Sequence, residues 1–376
     1  MVSAMKVEAS KWGVGGSLAQ TVDYNSSFFL SEEELETWSY KTEPQVDVTY
    51  TTALTSAKIS AAASVNRHDN LSQYNNEDFD LAWVHAYTGD RWGWGVDAIY
   101  SDADTRREAQ EDSGDFTSDA QVTTTSIIPD VSLKLSERNN IFASLSYADR
   151  KYTSGNFIDN TTTAWSLGWG HNFSRKLAMS VALGDNRFKT GGELFEVQTD
   201  YETINLGFQY KLSPELDLGA TLGYFDSENK FFTSIDTILA NTISSDSGGS
   251  GSLIEFLLNY RSARLTWSFN ASKNLSPSSQ GEVKESDNIS FSTGYELSER
   301  ARMGFSAQWG KTSSQIDSDR SYVNLEVFYA YDLGKSVKLK TSYKYREQEW
   351  DGEAETSVLA TSFDGSVGSL SLRYIF

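Results

Sequence analysis

Cations recur at even positions in "VKLKTSYKYREQEW" (337–350): Lys338, Lys340, Lys344 and Arg346. Arg373 holds the matching phase of the closing "SLSLRYIF" (369–376). Acids punctuate other alternating runs: Asp47, Asp80, Asp97, Asp130, Glu255, Glu296 and Glu326. Such residues on one face of an extended chain attract, orient or exclude charged solutes. Residues for covalent or acid–base work are scarce. The chain has no cysteine and three histidines, His68, His85 and His171, none with a Ser or Asp partner at a recognisable spacing. No metal or nucleotide motif is present, so no catalytic residue, metal site or cofactor is expected, and the chain does not read as an enzyme. A net charge of −20 argues against nucleic acid as a partner.

The elements that carry these residues follow from hydrophobic period. In "NIFASLSYA" Ile141, Ala143, Leu145 and Tyr147 fall on one face, and Ser144, Ser146 and Ala148 on the other. "AWSLGWG", "TINLGFQYKL", "RLTWSFNAS" and "YVNLEVFYAY" repeat the pattern. Period two means strands with one apolar face. In a soluble sandwich the second face carries long charged side chains toward water. Here it is mostly Gly, Ser, Ala, Thr and Asn, while the apolar face is rich in Trp and Tyr near strand ends. That is the pattern of a transmembrane barrel with a wet interior.

"LSERNNIFASLSYADRKY" (135–152) and "LSERARMGFSAQWG" (297–310) share Leu-Ser-Glu-Arg, and looser copies precede other runs. These read as tight turns of one rim. Short links near 53–57, 89–90, 137–139, 174–176, 213–215, 262–263, 299–301 and 333–335 alternate with longer polar links near 25–34, 70–77, 106–120, 153–160, 189–199, 229–251, 275–285, 313–319 and 351–358. Eight short and nine long links imply about 18 strands. The expected fold is an all-β, antiparallel up-and-down barrel, with short periplasmic turns and long extracellular loops. Residues 1–376 form one barrel domain, with 1–5 read as leader or vector-derived residues. The terminal Phe376 suits an outer-membrane barrel strand. Pro44 and Pro129 fall inside strands and are expected to mark bulges or strand ends.

No run is long and apolar enough for a transmembrane helix. The mean hydropathy of −0.45 averages over alternating faces. The start lacks a secretory signal, so an exported chain has had its signal removed. The expected compartment is the bacterial outer membrane, with lipid and lipopolysaccharide as partners.

With the apolar face outward, the charged residues named above line a lumen, basic on the last two strands and acidic on the early ones. They either set a transverse field or are simply solvated and paired across the wall. The five cations Lys338, Lys340, Lys344, Arg346 and Arg373 are not expected to be neutralised internally. The acidic links, "EAQEDSGD" among them, read as a solvated surface. Divalent-cation bridging to lipopolysaccharide and a repulsive gate are the functional alternatives. The 229–251 link has an apolar centre suited to folding inward as a constriction.

"WGWGVDAIYSDADTRREAQEDSG" (92–114) and "SIIPDVSLKLSERNNIFASLSYADRKY" (126–152) resemble the outer-membrane β-barrel proteins of exopolysaccharide biosynthesis loci, including the exosortase-associated group. The resemblance covers about a third of the chain. It implies a channel exporting a polysaccharide with periplasmic export proteins. Inward Phe328 and Tyr322 would give sugars a surface to slide over, or pack at the rim. The alternatives are a general or anion-biased diffusion porin for small solutes and, ranked lower, a sheath barrel around a periplasmic electron carrier.

Overall fold

The computed structural model describes residues 10–32, 34–154, 157–191, 195–233, 249–279, 282–313, 319–351 and 361–376. The first half of the wall comprises β1 (Lys11–Asn25), β2 (Thr37–Thr51), β3 (Thr55–His68), β4 (Asn76–Thr88), β5 (Trp92–Asp104), β6 (Gln121–Lys134), β7 (Asn139–Tyr152), β8 (Asn160–Asn172) and β9 (Leu177–Gly191). The second half comprises β10 (Phe195–Lys211), β11 (Leu216–Thr233), β12 (Gly249–Arg261), β13 (Leu265–Pro277), β14 (Val283–Glu296), β15 (Ala301–Ser313), β16 (Asp319–Asp332), β17 (Val337–Asp351) and β18 (Thr361–Ile375). Each strand pairs antiparallel with the next. Ser17–Asn25 of β1 pairs with Val367–Ile375 of β18, so the 18-stranded sheet has no free edge. Gly16 and Phe376 exchange backbone hydrogen bonds at 3.1 and 3.0 Å to complete the seam.

Several short turns share one device. A serine hydroxyl accepts the backbone N–H groups that follow: Ser136, after Leu135, from Asn139 at 3.1 Å, Ser298, after Leu297, from Ala301 at 3.1 Å and Ser174, after Phe173, from Leu177 at 3.1 Å. This local bond favours a tight turn over continued strand, which is why a serine recurs at this place.

Two expectations about the wall need correction. Pro44 and Pro129 make no bulge. The β2–β3 register runs Thr42↔Val65 to Gln45↔Ala62, and β6–β7 runs Ile127↔Tyr147 to Asp130↔Ser144, with no residue gained. Each proline removes a donor, the ladder opens locally, and it resumes in phase. The link placed at 189–199 is also shorter. β9 and β10 keep pairing to Gly191↔Glu196, and the ion pairs Arg187–Asp200 at 2.8 Å and Lys189–Glu196 at 3.1 Å stitch this ribbon.

Register fixes the two faces. Leu339 opposes Leu372 and Thr341 opposes Leu370, whereas Lys338 opposes Arg373 and Lys340 opposes Ser371. Trp83, Trp94, Leu145, Trp165, Leu206, Leu222 and Tyr343 stand exposed on the outer face. So continuous an apolar exterior is stable only against lipid.

Candidate functional site: a strapped lumen

The inner face carries every charged residue singled out above. On the basic side, Lys338 and Lys340 are nevertheless paired: Lys338 lies 3.7 Å from Asp332 and Lys340 lies 3.1 Å from Glu326. The expectation that all five cations escape neutralisation therefore fails, because β16 presents its own acids opposite β17. Lys344 directly opposes Glu326. Arg346 donates to Asn25 Oδ1 and to the Ser27 carbonyl, both at 3.3 Å. Arg373, opposite Ala19, has no acidic partner among the described residues.

The acids divide in the same way. Asp47 accepts from Ser60 at 2.6 Å and pairs with Lys58 at 3.1 Å. Asp80 accepts from Ser101 at 2.6 Å and pairs with Arg107 at 3.1 Å. Glu255 sits between Thr221 and Ser272, and Glu296 opposes Arg302. No ion pair or side-chain hydrogen bond reaches Asp97 or Asp130 among the described residues. Of the histidines, only His68 faces inward, its Nδ1 2.7 Å from Ser39 Oγ. His85 stacks on Trp94 and His171 meets Asn139 Oδ1, both on the outer face.

What sequence reasoning missed is the segment between β5 and β6. Residues 105–120, read as a solvated acidic link, turn into the barrel and cross it as a strap. At its root Arg106 pairs with Asp104, donates to the Tyr74 carbonyl at 3.0 Å and lies 4.7 Å from the Tyr74 ring. On the far side Arg320 donates to the Asp112 carbonyl at 2.8 Å and Gln348 to the Gly114 carbonyl at 3.1 Å. Gln308 donates to Glu111 at 3.3 Å, and the Arg346 guanidinium lies 5.6 Å over the Phe116 ring. Ala109 and Phe116 are buried with Leu30, and Phe363 packs against them. The strap thus binds β4 at one end and β15–β18 at the other. Ser279 donates from its backbone to Asp112 at 3.1 Å and accepts from the Ile158 N–H at 2.8 Å, so two further links meet the strap inside the mouth.

The strap turns inward because its acids are interrupted by an apolar anchor and a turn. Gly114 has φ of +73°, and a Cβ there would meet Arg320 and Trp350. Next to it Asp115 accepts from the Thr117 N–H at 2.8 Å, the Thr117 hydroxyl at 2.7 Å and the Ser118 hydroxyl. Burial alone would raise the Asp115 carboxyl, but the bonds from Ser118 and Thr117 outweigh it and hold the group below its ordinary value. Gly-Asp-Phe-Thr-Ser was the available signal. The 229–251 link cannot be compared in the same way, since 234–248 lie outside the described residues.

The inward aromatics are accounted for by packing. Phe328 covers Gly304, Tyr322 covers Gly310 and Phe142 covers Gly168, each ring filling the space a Cβ would take. Arg302 and Lys340 flank Phe328 at 5.9 and 5.0 Å from the ring centroid.

A closed barrel of 18 strands with a lipid-facing exterior and a polar lumen defines an outer-membrane β-barrel. No family model matches the chain, and no curated protein matches it. Solved structures with a similar course include OpdL of Pseudomonas aeruginosa, at 11% identity and a TM-score of 0.46 over 97% of this chain and 99% of that one. OccK2 (OpdF) of Pseudomonas aeruginosa shares 11% identity with a TM-score of 0.49 over 96% and 97% of the two chains. OccAB4 of Acinetobacter baumannii shares 10% identity with a TM-score of 0.47 over 99% of each.

Proposed function

We propose that this protein is a diffusion channel for small polar and charged solutes rather than an enzyme or a polymer exporter. The observation that carries the reading is the strap, pinned at both ends across a wet lumen whose wall at β8–β11 is largely of small side chains. A strap narrows the bore to small-solute size while leaving it wet. Polysaccharide export has no comparable support: a growing polymer would have to displace the strap, and Phe328 and Tyr322 are committed to covering glycines. An electron-carrier sheath meets the same obstruction.

Passage is proposed between the strap and the wall of β8–β11. There the inward residues include Gly170, Ala178, Ser180, Gly207 and Gly219, around a hollow of 440 Å³. The lumen is mixed in sign, because Glu326 and Asp332 offset Lys340 and Lys338 while Asp97 and Asp130 stay free on the other wall. This favours a general channel over a strongly anion-biased one.

The test combines planar-bilayer conductance with liposome swelling in sugars of increasing size. The proposal expects stable conductance and entry of mono- and disaccharides with exclusion of dextrans. A silent barrel, or one that passes dextrans, would overturn it.

A further inference from the structure

Large aliphatic side chains exposed to water need an explanation when they cluster. Across the described strands nearly all of them face lipid. The exceptions among the exposed large hydrophobics are Val84, Ile99 and Ile128, at 47%, 47% and 38% exposure, and all three face the lumen. They are also contiguous. Asp97 lies directly between Val84 on β4 and Ile128 on β6, and Ile99 is two residues along the same strand. Other inward aliphatics, such as Leu253 and Leu257 on β12, are partly buried.

The centre of the patch is charged, exposed and unpaired. Asp97 has no ion pair or side-chain hydrogen bond among the described residues, and neither has Asp130, two residues beyond Ile128 on β6. The nearest cations on this wall are occupied, Lys58 by Asp47 at 3.1 Å and Arg107 by Asp80 at 3.1 Å. Lys58 is also two strand spacings from Asp97, about 10 Å. Ile99 forms part of the floor of a 380 Å³ hollow beneath the root of the strap.

We infer that Asp97, ringed by Val84, Ile99 and Ile128, is a subsite for an organic ammonium ion with a small branched hydrocarbon body. The carboxylate takes the ammonium, and the aliphatic ring takes the hydrocarbon, which would otherwise stay hydrated. A bare cation gains only the first contact and an alcohol only the second. The subsite rests on the channel reading for its role, since a solute held beside the strap is held on the conduction path.

The experiment titrates the refolded full chain in micelles by saturation-transfer NMR with isopentylammonium, methylammonium and isopentanol, alongside bilayer conductance. Two methylenes buried on the ring contribute about fourfold each, so isopentylammonium should bind about 15-fold tighter than methylammonium. Replacing Ile99 and Ile128 by Ser should bring that ratio close to one. Asp97→Asn should weaken both ammonium ions alike, by up to about fivefold for an exposed pair, and leave isopentanol unchanged. Heat-modifiable gel mobility establishes that each variant has folded. Equal binding of the two ammonium ions to the parent protein, or a ratio that survives the double substitution, would overturn the subsite while conductance stands. Selective binding in micelles by a barrel that passes no current would support the subsite and overturn the channel.

Discussion

Replacing Arg320 by Met tests whether the strap is held from its far end. The side chain is almost fully buried and donates to the Asp112 carbonyl at 2.8 Å and the Ala109 carbonyl at 3.5 Å, with its guanidinium 5.5 Å from the Trp350 ring centroid. Methionine keeps much of the apolar stem and removes every donor. A hydrogen bond from a charged donor contributes about 1.5–3 kcal/mol and an Arg–Trp contact about 0.5–1 kcal/mol more. The longer bond adds little, so the strap should lose about 2–4 kcal/mol of local stability. At 1.4 kcal/mol per factor of ten, its opening equilibrium rises about 30- to 700-fold. The assay is hydrogen exchange of strap amides, among them Asp112 N–H, which bonds the Glu108 carbonyl at 3.0 Å. Exchange there should accelerate by that factor while the β10–β11 ladder, whose register runs from Phe195↔Thr233 to Lys211↔Asp217, is unchanged. Strap amides that exchange at the parental rate would refute the claim that Arg320 pins the strap. Loss of protection throughout the barrel would refute the claim that the strap opens independently of the wall.

Acid should loosen the strap through Asp115. Its carboxyl is held below the ordinary value, so its stabilising effect is complete above that value and is lost as pH falls through the lowered one. Strap protection, corrected for intrinsic exchange, should therefore be flat at neutral pH and fall below about pH 4, and Asp115→Asn should remove that step. Arg373→Ser and Lys340→Ser should each shift the reversal potential in a KCl gradient toward cation preference, because each removes one positive charge from the lumen, and Lys340→Ser also leaves Glu326 without its partner at 3.1 Å. An unchanged reversal potential in either variant would place that cation off the conduction path. Gly219→Phe should cut conductance without destabilising the barrel. A Cβ at Gly219 meets only Leu257 Cβ at 3.7 Å, an ordinary contact, so the added ring extends into the proposed passage. Unchanged conductance would move the passage elsewhere.

The wall was legible because a strand encodes its faces with period two. Once Leu145 and Tyr147 are outside, Ser144 and Ser146 have no freedom to be anywhere but inside, and the same parity places Lys338 and Asp97. The turns were legible for a similar reason, since the Ser136 and Ser298 bonds span only three residues. The strap was not. Its contacts join Arg320 to Ala109 across 211 residues and Gln348 to Gly114 across 234, and no periodicity reports such pairings. Composition misled as well: Glu108, Glu111, Asp112 and Asp115 in one link look self-repelling. The structure relieves them with partners drawn from elsewhere, Arg150, Gln308, Ser279 and the turn residues.

The strap in turn explains a feature of the wall that periodicity leaves open. Glycine within a strand is destabilising by about 0.5–1 kcal/mol relative to alanine, yet Gly168, Gly170, Gly184, Gly207, Gly219 and Gly223 all face inward on β8–β11. Some are covered: Phe142 lies over Gly168, and Asn205 reaches Gly223. Gly219 has no such cover. Meanwhile the strap and the buried Leu30 and Phe116 occupy the side of β15–β18. The two arrangements are complementary. A strap that fills one side of the bore sets a small-solute cutoff only if the facing wall stays bare, and bare walls are where strand stability has been given up. On this argument the glycines of β8–β11 and the anchors of the strap are one device. Larger side chains on the first should close the passage that looser anchors on the second would widen.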